Sequence, residues 1–355
     1  METGLALVMR KTESKRQHHL PQFLQRGFAS ARRGKFAFTW VYRKGTDPFE
    51  TNIINVGVEG RFYGDGADFS VDRMITGAEH RFSAAVERAR SCSSGHLQSN
   101  ALPELIAHLE VRSRHLRQVI LVGADYFINQ LMDYISDPEA FTEFLCREFT
   151  RNPAMLGKAI SNELSKYGLS SSFLGSPARL GRSMLPLALS QLRPHLPAIA
   201  QAMKATLPSK VREAVKSGHI SALRQSISPQ ERVERYAPLS FFAVDMPTGD
   251  LILGDSAVVF HVSDPPRYRA FLDAGDTLDY VCLPVSPSRA LVGAHVHPKI
   301  DRSELKRAIV RCSFEFFIAA TLTTENRQLS REIGTDAHPL SRSELEDIVS
   351  EVINK

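Results

Sequence analysis

Two adjacent histidines open the part of the sequence that is richest in reactive side chains. His18 and His19 stand near the start of the run QHHLPQFLQRGF, and Arg26 lies within it. Imidazoles titrate near neutral pH and can act as general acids and bases, while the planar guanidinium of arginine binds two phosphate oxygens at once. The run predicts acid–base chemistry at a phosphate. The alternative is that one histidine braces a helix start and the other faces solvent.

Three further candidates lie far from this run in the sequence. Glu79 and Arg112 lie on predicted helices, and Asp255 stands at the end of a predicted strand. A carboxylate can activate water or hold a divalent cation, and a guanidinium can stabilise a phosphate in its transition state. The alternatives are a solvated glutamate, a salt-bridged helix surface and a turn aspartate. If the fold brings them together, we expect His18, His19, Glu79 and Asp255 to be catalytic and Arg112 to bind phosphate.

Positive charge is concentrated near the N-terminus. Residues 1–43 contain 9 basic and only 2 acidic residues, whereas the whole chain has 44 basic and 39 acidic ones. Neutralising a polyanion releases its condensed counterions, so a segment of this kind attracts nucleic acid. The alternative is a basic terminus that keeps the protein in solution. Besides Arg112, the phosphate-binding candidates are Lys15, Arg16 and Arg26.

The pattern of apolar residues predicts four regions. These are a basic arm at 1–17, a helix and β-hairpin at 18–68, a helical body at 69–236, and a small sheet with C-terminal helices at 237–355 that packs with 18–68 as one unit. Because strands and helices are grouped rather than alternating, we expect the α+β fold class.

Individual helices follow from the spacing of apolar residues. Val71 to Arg90 carries an apolar stripe with the helical period, and Leu102 to Ile135 is expected to form one long helix. Arg302 to Arg331 is expected to be helical, with its phenylalanines in the core, and Ser341 to Ile353 is expected to add a last helix.

Composition and motifs exclude several classes of protein. With 355 residues, 43% apolar and 23% charged, the chain has the composition of globular proteins. Its four cysteines include no C-x-x-C pair, which argues against a disulfide-rich fold and favours a cytoplasmic setting. We expect no signal peptide and no membrane-spanning segment. The sequence has no phosphate-loop, zincin or nucleophile-elbow motif. No metal site is predicted, and a divalent cation stays open as a cofactor.

The chain resembles a microbial family of uncharacterised proteins, catalogued as domain of unknown function four-two-three-eight. That family opens with a His-x-x-Pro element and an aromatic-rich helix ending in Arg-x-Phe, which match His18, Pro21, Phe23, Arg26 and Phe28. Gln25 stands where the family usually has leucine, and the family's Ser-Asp-Asn-Pro turn is similar to 254–257, with only Asp255 kept. The resemblance spans roughly residues 17–325 and implies no established activity.

These observations lead to one main hypothesis and two alternatives. The main hypothesis is a cytoplasmic protein that binds nucleic acid and hydrolyses phosphodiesters, as an effector in defence or in a toxin-like system. The second is a non-catalytic interaction module in which the His-x-x-Pro element is a structural latch, with a protein partner or a second copy of the chain. The third is transfer chemistry on a nucleotide or NAD, which no glycine-rich loop supports.

Overall fold

The chain divides into two compact units. The computed structural model describes residues 16–60, 62–63, 70–168, 175–246, 248–273, 275–297 and 300–337. Unit 1 contains the described residues up to 120 and from 215 onward, and unit 2 contains those between 121 and 214. The region predicted as a helical body, 69–236, is therefore shared between the two units.

All the described strands lie in unit 1. They are β1 (Arg16–His18), β2 (Ala31–Arg33), β3 (Phe36–Arg43), β4 (Phe49–Asn52), β5 (Val58–Gly60), β6 (Gly95–Leu97), β7 (Ser240–Asp245), β8 (Leu253–Gly254), β9 (Val259–Ser263), β10 (Pro266–Arg269), β11 (Leu278–Ser286), β12 (Arg289–Ala294) and β13 (Phe316–Ala319).

The strands form three antiparallel sheets. The largest has six strands in the order β10-β9-β11-β12-β7-β6, and the second has the order β2-β3-β13-β8 with β4 also paired to β3. The third sheet pairs β1 with β5, and His18 is the last residue of β1. The N-terminal hairpin therefore shares a sheet with β13, which comes from the C-terminal part of the chain.

The described helices complete the α+β fold that the sequence predicts. They are α1 (Gln22–Gln25), α2 (Ser70–Ser91), α3 (Ala101–Arg112), α4 (Arg114–Ser136), α5 (Pro138–Arg151), α6 (Pro153–Lys166), α7 (Pro177–Leu192), α8 (Leu196–Gln225), α9 (Gln230–Tyr236), α10 (Arg302–Cys312) and α11 (Thr324–Leu329). None of these described helices combines the length and the apolar character needed to span a lipid bilayer.

Helix α2 forms where its apolar stripe predicts it. Its residues Val71, Ile75, Phe82 and Val86 are buried, at helical spacing along one face. The opposite face of the same helix is polar and reaches solvent. Burial of the apolar stripe fixes which polar residues of α2 face outward.

The predicted long helix from Leu102 is interrupted at Ser113. This residue has an extended backbone, with φ −66° and ψ 144°, and separates α3 from α4. Its hydroxyl accepts a hydrogen bond of 3.1 Å from the amide of Leu116, so it caps the start of α4. The expectation of one continuous helix was wrong because Ser113 ends α3 and caps α4, although apolar residues continue with the helical period on both sides of it.

The predicted helix from Arg302 to Arg331 is also wrong beyond Cys312. The chain leaves α10 there and forms β13, whose four residues are all buried, before α11 begins at Thr324. A short, wholly apolar run suits a buried strand as well as a helix, and pairing with β3 decides the outcome. The helix expected at Ser341 to Ile353 lies outside the described residues.

Candidate functional site

A polar cleft of about 310 Å³ lies in unit 1 between the N-terminal segment and α2. We call it the N-terminal cleft. It is lined by eight residues, which include His18, Gln22 and Arg26 from the N-terminal segment and Glu79 and His80 from α2. The structure thus brings three of the sequence-predicted site residues, His18, Arg26 and Glu79, to one cavity.

Arg112 fixes the backbone of the N-terminal segment beside this cleft. Its guanidinium is buried and donates a hydrogen bond of 2.5 Å to the backbone carbonyl of His18. Its Nε donates to the hydroxyl of Tyr63 at 3.0 Å, and that hydroxyl donates to the same carbonyl at 3.1 Å. The carbonyl of His18 is therefore held by two donors.

The other contacts of Arg112 neutralise its charge and engage its Nη1 donors. Nη1 forms an ion pair of 2.9 Å with Glu79 and donates at 2.9 Å to Nε2 of His108. His108 accepts this bond in its neutral form, because Nδ1 faces the carbonyl of Ile227 at 2.9 Å. Burial and the charge of Arg112 lower the pKa of His108 to about 3. Arg112 is thus occupied by the protein itself.

The short helix α1 is held in place by two polar side chains. Arg90 of α2 donates to the carbonyls of Phe23 and Leu24 at 2.9 and 3.1 Å. Gln25 donates to the carbonyls of Leu20 and Val56 at 2.8 and 3.1 Å. Arg90 thus binds carbonyls within the single turn of α1, and Gln25 ties this turn to the segments at Leu20 and Val56.

Gly57 supports the chain where it turns into α1. Its carbonyl accepts from the amide of His19 at 2.8 Å, and its φ is +60°. A Cβ at this position would lie 2.6 Å from the Cβ of Leu20, so glycine is required by both conformation and space.

The ring of His18 faces the cleft while its backbone is held. Gln22 lies 3.3 and 3.4 Å from the two ring nitrogens, and the ring also bonds to the backbone of Ile54. Burial lowers the pKa of His18 below its usual value, with the positive charge of Arg112 acting in the same direction. The imidazole is therefore neutral at pH 7 and can accept a proton.

Helix α2 contributes a polar stripe to the opposite wall. Thr76, Glu79, His80 and Ser83 line the cleft at helical spacing, on the side away from the buried stripe. Glu79 was proposed from the sequence, whereas His80 was passed over although it is adjacent. The helical period could have indicated His80, because it lies four residues after Thr76 and three before Ser83, and residues at these spacings share one face of a helix.

His19 does not line the N-terminal cleft. Its ring is buried against Phe62, with ring centroids 5.6 Å apart, and lies near Phe316. Burial and the charges of Arg114 and Arg112 lower its pKa to about 3. The structure places His19 in an apolar setting where its neutral form is favoured.

Asp255 also lies outside the lining of the cleft. Its carboxylate accepts from the backbone amides of Phe314 and Glu315, both at 2.7 Å, and of Phe316 at 3.3 Å. These contacts anchor the start of β13. Burial raises the pKa of Asp255 to about 6.

A second cavity of about 210 Å³, which we call the basic groove, adjoins the N-terminal cleft. Gln22 and Arg26 line both cavities, and Arg32 and Lys35 add positive charge to the groove. No acidic residue is among the described residues that line it. Arg16 lies elsewhere, with Nη2 at 3.0 Å from Oδ1 of Asn55, and Lys15 lies outside the described residues.

Within the part of the chain that the structure describes, no group of three or more His, Cys, Asp or Glu side chains is arranged to hold a metal ion. Glu79, the residue proposed as a cation ligand, directs Oε1 to Arg112.

The fold and the cleft define an α+β protein with a polar cavity beside a basic groove. Residues 16–333 match the family model described as Protein of unknown function (DUF4238), and the chain belongs to this family. This match confirms the family resemblance predicted from the sequence. No curated protein and no solved structure matches the chain.

Proposed function

We propose that this protein binds nucleic acid and hydrolyses a phosphodiester bond in the N-terminal cleft. The observation that carries the proposal is the lining of the cleft: His18 and His80 share it with Arg26. Two imidazoles and a guanidinium are the groups that a phosphodiester needs for proton transfer in two directions and for charge stabilisation.

Each group has a distinct role in the proposed step. His18, neutral because burial lowers its pKa, takes a proton from water as the water oxygen forms a bond to phosphorus. His80 gives a proton to the oxygen that leaves as the other P–O bond breaks. Arg26 neutralises charge on the non-bridging oxygens. The products are a phosphate monoester and a hydroxyl end, and exchange with solvent returns both histidines to their starting states.

The approach of the substrate is supported by charge. Arg26, Arg32 and Lys35 are exposed, and the groove they share has no described acidic lining residue. A nucleic-acid backbone that follows the groove reaches Arg26, which also lines the cleft. The other basic residues among the first 43 would add to the attraction.

The proposal is tested by cleavage of labelled RNA and DNA. The wild-type protein should shorten at least one of them, and assays with added Mg²⁺ and with a chelator define any need for a cation. His80→Gln should lower the rate by about 10²- to 10⁴-fold, as expected for loss of a general acid. His295→Gln, which alters an exposed histidine that does not line the cleft, is the control. Intact substrate with the wild type, or equal rates for His80→Gln and the control, would refute the proposal.

A second candidate function is supported by the contacts of Arg112. Because this residue holds the carbonyl of His18, the His18–Pro21 segment also suits a structural latch in a non-catalytic interaction module. The two functions make different predictions for the ring of His18, since a latch uses only the backbone of that residue. Nucleic-acid binding without cleavage by the wild-type protein would favour the module.

A further inference from the structure

We infer that the basic groove receives an unpaired nucleic-acid strand and stacks one of its bases on Phe36. This inference rests on the proposed function, because it assigns a class of substrate to the same site. It concerns binding and is therefore testable apart from hydrolysis.

The ring of Phe36 is displayed by the register of the hairpin. Phe36 is the first residue of β3 and pairs with Arg33 of β2. Strand β4 pairs with β3 only from Phe38 to Val41, so it does not extend alongside Phe36. The result is a phenylalanine that is 44% exposed at the edge of a groove.

Positive charge accompanies this ring in the groove. The Nζ of Lys35 lies over the ring of Phe36, 5.5 Å from its centroid, and Arg32 and Arg26 line the same groove. An aromatic face next to cations that follow a backbone is the arrangement that binds single strands without sequence preference.

The apolar surface of the groove distinguishes an unpaired strand from a duplex. Ile53 and Ile54 line the groove beside Phe36, and Ile54 is 40% exposed. In a duplex the faces of the bases are covered by their neighbours, so that only phosphates, sugars and base edges reach a protein. A ring and an aliphatic surface gain little from such a ligand, whereas they are matched by the face of an unstacked base.

The strand would lead from the groove into the cleft. Arg26 and Gln22 line both cavities, so a phosphate bound at Arg26 would reach the cleft that His18 also lines. The base on Phe36 would then hold the strand in register with the reacting phosphate.

The inference is tested with a fluorescent single strand of about twelve nucleotides of mixed sequence, as RNA and as DNA, and with the matching duplex. Every binding measurement uses the full chain with the His80→Gln substitution, which the proposed function expects to cleave slowly, so that the probe survives. Fluorescence anisotropy gives the dissociation constant of the complex, and a gel confirms that the probe is intact. Phe36→Ala should weaken single-strand binding about 5- to 150-fold, the range for loss of one stacked base. Phe36→Trp should retain binding.

Phe49→Ala is the matched control. Phe49 lies on the neighbouring strand β4 and is 43% exposed, but it does not line the groove. Phe36→Ala should leave the slope of log Kd against log salt unchanged, whereas Lys35→Gln should reduce that slope by about 0.7, the value for one phosphate contact of a single strand.

The outcomes separate this inference from the proposed hydrolysis. Equal affinities for Phe36→Ala and Phe49→Ala, or a duplex that binds as tightly as the single strand, would overturn the inference even if cleavage occurs. Phe36-dependent binding of the single strand without any cleavage would support the inference and refute the hydrolysis.

Discussion

The guanidinium of Arg112 donates a 2.5 Å hydrogen bond to the backbone carbonyl of His18, a residue 94 positions earlier in the chain. The same side chain pairs with Glu79 and donates to the neutral ring of His108. A buried cation thus fixes the backbone of His18 and leaves its imidazole facing the cleft. Rigid support of this kind is what an acid–base group requires.

Replacement of Arg112 should be strongly destabilising. Arg112→Met leaves the carboxylate of Glu79 without its cation and the carbonyl of His18 with the hydroxyl of Tyr63 as its remaining donor. We expect a loss of about 3–5 kcal/mol in the free energy of unfolding. Urea denaturation measures this loss. Arg81→Met is the control, because the pair of Arg81 with Glu104 is exposed and should contribute less than about 1 kcal/mol. Similar values for the two variants would contradict the role of Arg112.

Gly57 should be intolerant of a side chain for two separable reasons. Gly34 has the same φ of +60°, but a Cβ added to it would have no atom within 4 Å, whereas a Cβ on Gly57 meets Leu20. Gly34→Ala therefore measures the conformational cost alone, and Gly57→Ala should cost about 1–3 kcal/mol more through overpacking. Thermal or urea unfolding gives the difference, and equal losses would show that the contact with Leu20 is unimportant.

Asp255 should act on stability rather than on turnover. Asp255→Ala leaves the amides of Phe314, Glu315 and Phe316 without their acceptor, and we expect a loss of about 3 kcal/mol in unfolding free energy. Asp255→Asn keeps an acceptor oxygen and should lose less. Cleavage per folded molecule should stay near the wild-type rate. A variant that folds with full stability but has lost cleavage would instead place Asp255 in the chemistry.

Stability should fall as the pH falls below neutrality. Burial lowers the pKa values of His19 and His108 to about 3 and that of His219 to about 4, whereas the unfolded histidines titrate near 6.5. At a pH between the folded and the unfolded pKa, the unfolded chain binds more protons than the folded chain. Each of these histidines should therefore lower the free energy of unfolding by about 1.4 kcal/mol as the pH falls from ~7.5 to ~5.5. Asp255, whose pKa is raised to about 6, acts in the opposite direction in the lower part of this range.

Urea titrations at several pH values measure this dependence. His108→Gln keeps a donor for the carbonyl of Ile227 and an acceptor for Arg112, but it cannot titrate. Between pH ~7.5 and ~5.5 the His108→Gln variant should therefore lose about 1.4 kcal/mol less unfolding free energy than the wild type. A stability that does not change over this range would show that the buried histidines are not held neutral.

The sequence predicted the parts of the fold that depend on local pattern. The apolar stripe of α2 predicts its buried face, and the same period predicts that Thr76 and His80 share the outward face with Glu79. Serine is a residue type that caps helices, and Ser113 does so at α4, although apolar residues continue on both sides of it.

Long-range pairing is what the sequence could not supply. Strand β13 exists because β3 pairs with it, although some 280 residues separate Thr39 from its contact at Ala319. The amides that Asp255 binds lie about 60 residues later in the chain, so the sequence could not show that its carboxylate anchors the start of β13. The sequence around Arg112 would be the same whether this residue was buried or faced solvent. Its contacts with His18 and Tyr63, which are distant in the sequence, show that it is buried.

The most direct test of the account separates the ring of His18 from its backbone. The cleavage rate and the urea unfolding free energy should be measured together for the wild type and for His18→Gln. We expect cleavage to fall at least about 100-fold, with a change of less than about 1 kcal/mol in stability, because Arg112 binds only the backbone carbonyl. An unchanged cleavage rate, or a loss of stability that accounts for the loss of cleavage, would contradict the claim that Arg112 fixes the backbone of His18 while its ring carries out the chemistry.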